Sequence, residues 1–412
     1  MSLSSLSRAQ LILLALLGAI ALSCTWLYLS LAFPPSLQGG GDLRVFLAAA
    51  KLLSQHRSPY NGAAISQMAQ SLDHAIPKGA TSSGFEYLPF IGLALIPMST
   101  LSFHAAYILV DLLSIVVIAW SVDRWRAWLA PTLPRWLVVG GALLSAPVAF
   151  SLFDGKLDGF MFLGFTICAL LYREQKWLAL GVLAVLTAML KPQALFLLPF
   201  AYLALGASNR HAMARYLVGA LGAVALTSAA VCLYDANLWI QWWRYLPSFS
   251  STLDGLQLDS ASLAGFAHFL GLSLGLHDPF VWAIFVGGLV FAAAWLWRGF
   301  PYQRADNWRD PWLRTVGVTT TVGVAISPFL HNGELILLLP ALLWLIDRNQ
   351  LPAWYLWVML FLFQTTQLIE LTLPVAIQKY LSTSPILTLM VLLASLAAYN
   401  WWLGRAQAAS SV

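Results

Sequence analysis

The chain has 412 residues, of which 60% are hydrophobic, 13% aromatic and only 9% charged, whereas soluble domains carry about 25% charged residues. Mean hydropathy is +0.76, which excludes a soluble globular domain of ordinary composition and marks an integral membrane protein. A net charge of +5 could suggest nucleic acid, but the basic residues are scattered between apolar runs and report topology instead.

Apolar runs recur from residue 10 to residue 404, long enough for helical spans and without the alternation of a barrel. The first, "LILLALLGAIALSCTWLYLSLAF", outlasts a signal-peptide core and reads as an uncleaved span. "ALSC" resembles a lipoprotein box only weakly. Taken in order from a cytoplasmic N-terminus, twelve spans are expected at about 10–32, 101–121, 136–153, 157–172, 177–190, 193–207, 216–234, 279–297, 315–329, 333–346, 352–369 and 385–402. Both termini then lie inside, and the whole chain forms a single membrane domain, 1–412. Fourteen of the 22 Lys and Arg fall on the predicted inner side, as the positive-inside rule requires. Eleven of the 17 acids fall on the outer side, which solvated loops alone would also explain. The long connections, 33–100 and 235–278, are outer as well, and long ordered loops usually carry function.

The first outer loop opens with "GGGDLRVFLAAAKLLSQHRSPY", residues 39–60. As a helix it places Leu43, Phe46, Leu47, Ala50 and Leu53 on one stripe and Arg44, Lys51 and Gln55 on another. Asp42 stands at the N-cap position, where a carboxylate needs no function beyond capping. Spacing leaves cap and catalytic base both open. Further along the loop, "GFEYLPFIGLALIP" brings Glu86 and Tyr87 to the edge of an apolar segment punctuated by Pro89 and Pro97, where rings commonly form an interfacial belt.

"SLFDGKLDGF", residues 151–160, joins two spans on the outer side and sets Asp154 and Asp158 around a lysine. The pair could bind a divalent cation or sugar hydroxyls; an Asp-Gly turn with a local ion pair explains it equally well. Segment 177–207 must cross twice, yet its halves reach only about 21 Å at 1.5 Å per residue, short of a ~30 Å core. A V of short helices is expected, with Lys191-Pro192 at its tip and Gln193 beside it. Short helices at membrane depth line protein cavities, so a polar cleft opening outward follows. Lys191 there is a candidate for an anionic head group, although a snorkelling lysine looks the same.

"LWIQWWRYLP", residues 238–247, suits an amphipathic helix on the membrane surface with Arg244 at head-group level. "SPFLHNGEL", residues 327–335, interrupts two apolar runs and offers His331 and Asn332 to a phosphate or sugar hydroxyl. The seven His are too dispersed for a zinc site, and Cys24, Cys168 and Cys232 all lie inside apolar runs, so neither a metal centre nor a disulfide framework is read from them.

In order, the pieces "GGDLRVFLAAAKLL…SPY", "FEYLPFIGLALIP", "LKPQALFLLP", "YLPSF…DSASLAGF" and "SPFLHNGELILLLPAL" resemble glycosyltransferase family 87, a group of multi-pass GT-C enzymes. The resemblance implies an all-α bundle with juxtamembrane helices in the first outer loop. It implies transfer of a mannose-like hexose from a polyprenyl-phosphate donor to a lipid or glycan acceptor on the outer face of a bacterial-type plasma membrane, with inversion. Asp42 occupies the family's general-base position. Lys191, His331, Arg44, Glu86, Tyr87, Gln193 and Asn332 are then the candidates for substrate and phosphate. No cofactor is implied, and the need for a divalent cation stays open. "EYLPF" and "FDGKLD" depart from the family's wording. A transporter or lipid-carrier flippase is the competing reading from another class, but it would want charges along a continuous path, and apart from Asp111 they cluster at the outer mouth. A ligase using a diphosphate-linked donor would want more outer arginines than Arg44, Arg57 and Arg244.

Overall fold

The computed structural model describes residues 41–72, 84–191, 210–252 and 332–340, together with Leu343. Every regular element among the described residues is helical. The chain divides into two compact units, one made of Met1–Tyr28, Val122–Pro147 and Gly255–Val412, the other of Leu29–Ser121 and Val148–Asp254.

The second unit begins with α1 (Gly41–Ser54) and α2 (Gly62–Leu72), followed by the short α3 (Pro89–Ala94) and a 3-10 turn over Ile96–Thr100. Pro97 sits at the start of that turn, where its missing N–H costs nothing. Next comes α4 (Phe103–Leu129), whose 27 residues reach about 40 Å, enough to cross a bilayer core. The apolar run had suggested an end near residue 121, but the helix continues for two more turns and carries Arg124 and Arg126 within it. Charge does not stop a helix where it finds partners: Arg126 pairs with Asp123 at 3.0 Å, and Arg135 reaches the same carboxylate at 3.2 Å.

The expected span 136–153 is broken. It consists of α5 (Arg135–Leu143) and α6 (Ala146–Asp154), parted at Leu144 and Ser145, just before Pro147, a residue that cannot continue an i to i−4 ladder behind it. Hydropathy alone does not register such a break. Then α7 (Asp158–Arg173) and α8 (Trp177–Leu190) follow the expected boundaries closely, and α9 (Arg210–Asp235) runs longer than the expected 216–234. Both α4 and α9 are long and apolar enough to span a membrane. The helix α10 (Asn237–Thr252) closes this part of the chain. In the first unit, residues Asn332–Leu338 form a 3-10 helix where a regular span had been expected to begin. The expected spans 10–32, 193–207, 279–297, 315–329, 352–369 and 385–402 lie outside the described residues.

Helices α7, α8 and α9 pack through small residues. A side chain on Gly181 of α8 would run into the Tyr216 carbonyl of α9, one on Gly219 of α9 into the Leu178 carbonyl of α8, and one on Gly164 of α7 into Thr187. Backbone-to-backbone contact of this kind is how membrane helices gain dispersion energy when lipid offers no hydrophobic drive. The core beside them gathers Phe46, Leu52, Leu53, Tyr60, Phe85, Tyr87, Leu157, Val185 and Met189 around α1. Almost every residue of α1 from Leu43 to Leu53 is therefore buried. This corrects the expected two-faced helix: Arg44, placed on the polar stripe by periodicity, is only 6% exposed.

Candidate active site

Four stretches far apart in sequence meet at the start of α1. Asp42 lies in the first turn of that helix, inside the described element instead of at its N-cap, and part of its surface stays open to solvent. The adjacent Gly41 is packed so closely on Asp154 that an added Cβ would stand 2.8 Å from the Asp154 Oδ1. The end of α6 is thereby wedged against the carboxylate-bearing turn of α1.

The local sequence explains the α6 terminus. Gly155 takes the left-handed conformation, φ 66°, and donates its N–H to the Leu152 carbonyl at 3.1 Å, while the Lys156 N–H donates to the Ser151 carbonyl at 2.9 Å. This is a Schellman closure, in which glycine is the residue that adopts a positive φ without a Cβ penalty. The accompanying apolar contact of that motif is replaced here by the Lys156 ammonium over the Phe150 ring, 4.4 Å from its centroid. The same Nζ lies 3.3 Å from Asp154 Oδ2, and Lys156 is 4% exposed. Tyr107 of α4 donates its hydroxyl to the carbonyls of Leu152 and Phe153, 3.0 Å to each, so the last turn of α6 is held from both sides.

Two residues after Lys156, Asp158 opens α7, where the helix N-terminus favours an anion. Its Oδ1 meets Lys191 Nζ at 2.6 Å, with both side chains at most 2% exposed. Lys191 caps the C-terminal end of α8 in an extended conformation. Residues 42, 154, 156, 158 and 191 had all been assigned to one side of the membrane from charge distribution, and the fold makes them neighbours.

The electrostatics follow from that convergence. Burial pushes the Asp42 carboxyl up to about 6; the charge of Lys156 pulls it down, Asp154 pushes it up, and Lys191 and Asp158 follow in the same opposed senses. Burial disfavours the charge on Lys156, yet Asp42 first and Asp154 second outweigh it and hold the ammonium above the ordinary lysine range. Tyr87, buried against Phe46 at 4.5 Å, is raised by burial and then by the charge of Asp42, which places its phenol within electrostatic reach of the same site. Its backbone carbonyl accepts a hydrogen bond from the Tyr60 hydroxyl at 2.9 Å.

The other expected site residues fall differently. The Arg44 guanidinium, two residues after Asp42, stacks on Phe103, 4.8 Å from the ring centroid. Glu86 offers its backbone carbonyl to the Trp242 indole N–H at 3.2 Å, which docks α10 onto the segment before α3. Asn332 starts the 3-10 helix of the other unit. Gln193 and His331 lie outside the described residues. Lys156 is the residue that sequence reasoning left out; the visible signal was its place between two acids in one short turn. Those acids are each engaged by a lysine, and among the described residues no three His, Cys, Asp or Glu side chains gather as a metal site would require. A carboxylate that titrates near neutrality can act as general base, and two buried ammonium groups beside it can stabilise developing negative charge.

Compared with known proteins, the chain matches the sequence model of glycosyltransferase family 87 over residues 85–328, more than half of its length. Neither a curated protein nor a solved structure matches it.

Proposed function

The chain belongs to glycosyltransferase family 87, a membrane glycosyltransferase on that ground, and we propose that it moves a mannose-like hexose from a polyprenyl-phosphate donor to a lipid or glycan acceptor on the extracytoplasmic face, with inversion. The observation that carries this reading is the Asp42 carboxyl, held near pKa 6 and flanked by Lys156 and Lys191. In the proposed step the Asp42 carboxylate takes the proton of the acceptor hydroxyl as its oxygen bonds to the anomeric carbon. The bond from that carbon to the phosphate oxygen breaks, and its electron pair leaves with the polyprenyl phosphate. Attack from the face opposite the leaving group inverts the centre, and protonated Asp42 then yields its proton to water.

The remaining roles are part of the same proposal. Lys191 and Arg44 meet the donor phosphate, while Glu86 and Tyr87 border the sugar. Asp158 keeps Lys191 in place so that its charge opposes the leaving phosphate without side-chain reorganisation, the condition under which fixed charge lowers a barrier most. General-base assistance of about 10²–10⁴-fold is the scale expected of Asp42.

The test is incubation of the purified protein in nanodiscs with radiolabelled polyprenyl-phosphate mannose and total lipid from host membranes. Label appearing in a new glycolipid, with release of polyprenyl phosphate, supports transfer. Label that stays in the donor while the protein moves that donor across reconstituted vesicles would replace the reading with a flippase.

A further inference from the structure

The turn from Asp154 to Asp158 contains a cation that the transfer step above does not use. Lys156 is 4% exposed, lies 3.3 Å from Asp154 and covers the face of Phe150 at 4.4 Å. Its backbone is fixed by the bond to Ser151 and by the left-handed Gly155 before it. Asp154 in turn packs on Gly41, with an added Cβ at 2.8 Å, so the lysine is locked to the first turn of α1 through a single intervening carboxylate. A lysine pays to be buried like this and needs compensating anions; here those anions are Asp154 and Asp42.

We propose that Lys156 is a positioning residue of the transferase, which through its locked place beside Asp154 keeps the Asp42 carboxylate ionised and oriented for the acceptor hydroxyl. The inference rests on the reading of Asp42 as general base and adds a group that lowers the pH at which that base works, against the burial that raises it. Among the described residues, the charged groups bearing on Asp42 are Asp154 and Lys156 from the turn, Asp158 from the start of α7 and Lys191 from the end of α8, with the Tyr87 phenol in electrostatic reach from the segment before α3. Of the two cations Lys156 acts more strongly on Asp42, and Lys191 is held at 2.6 Å by Asp158. Asp154 and Lys156 therefore push Asp42 in opposite directions from one turn.

That opposition supplies the test. In protein labelled with 13C-aspartate, the carboxyl band missing from the Asp42→Asn difference infrared spectrum reports the titration of Asp42 without any substrate. Lys156→Met should move that titration up by about one pH unit, the low end of what one close opposite charge contributes. Asp154→Asn should move it down, because it removes a like charge and frees the lysine for Asp42. A merely structural turn would shift both variants the same way or neither, and either result overturns the proposal; if Lys156→Met does not fold, an Asp154→Asn titration that stays put or rises does so alone. Transfer from polyprenyl-phosphate mannose by Asp42→Asn is measured beside it. Activity retained there removes the general-base reading and this inference with it, whereas a dead Asp42→Asn with unmoved titrations removes this inference only.

Discussion

Asp42 carries a conflict that can be measured. Its carboxyl is raised by burial from 3.8 to about 6, so the folded state binds its proton more tightly than the unfolded chain. The sign is therefore unfavourable above about pH 6, where the group is ionised in both states, and the cost fades as pH falls from 6 towards 4. Allowing for the solvent Asp42 still touches, the cost is on the order of 1–2 kcal/mol. Asp42→Asn should abolish transfer and yet melt at a higher temperature than the parent at pH 7.5, with the advantage shrinking by pH 5. In the parent, kcat/KM should fall about tenfold per unit below pH 6; a flat profile to pH 5 would count against the base. The buried pair of Lys191 and Asp158 behaves in the opposite manner. Removing either partner strands a charge, and Lys191→Met or Asp158→Asn should each cost about 3–5 kcal/mol. The double variant should cost less than the two singles added, which a thermal double-mutant cycle reads directly.

At the scale of elements, the sequence was most informative where composition dominates. The bounds of α7 and α8 were legible because polar turns at Asp154–Asp158 and Glu174–Lys176 punctuate apolar runs. The division of 136–153 into α5 and α6 was not, because a hydropathy window averages over a two-residue break. Arg44 was misplaced for a related reason: periodicity assigns a stripe, but α1 is enclosed on nearly all sides, and a guanidinium stacked on Phe103 needs no polar face. Lys156 was legible only as half of a local ion pair, which it forms with Asp154, because its bearing on Asp42 reaches across more than a hundred residues. The glycine contacts between α8 and α9 were likewise silent in sequence. Gly181→Leu should wedge the two helices apart at the Tyr216 carbonyl, since the obstacle is backbone and cannot rotate away. The expected outcome is loss of monodisperse protein in detergent extracts, with Gly222→Ala, which faces open space, unaffected.

At the scale of the whole molecule, family membership and two long apolar helices establish a membrane glycosyltransferase, while the side on which the charge cluster works is a proposal. In a background lacking Cys24, Cys168 and Cys232, cysteine placed at Asn61 should react with an impermeant maleimide in intact cells. One placed at Gln175, in the turn between α7 and α8, should react only after permeabilisation. The reverse pattern would put the Asp42 cluster in the cytoplasm and end the extracytoplasmic assignment.

The wedge of Gly41 on Asp154 and the pairing of Asp158 with Lys191 also set an order of events during synthesis. Asp42 leaves the ribosome 149 residues before Lys191, which at about 5–20 residues per second is a wait of roughly 7–30 s. For about three quarters of that interval α1 has no Asp154 turn to lean on, and to its end no Lys191 to face. Helix α1 is thus made early and seated late, and a chain arrested before residue 154 holds the Asp42 carboxylate without the charges that bear on it.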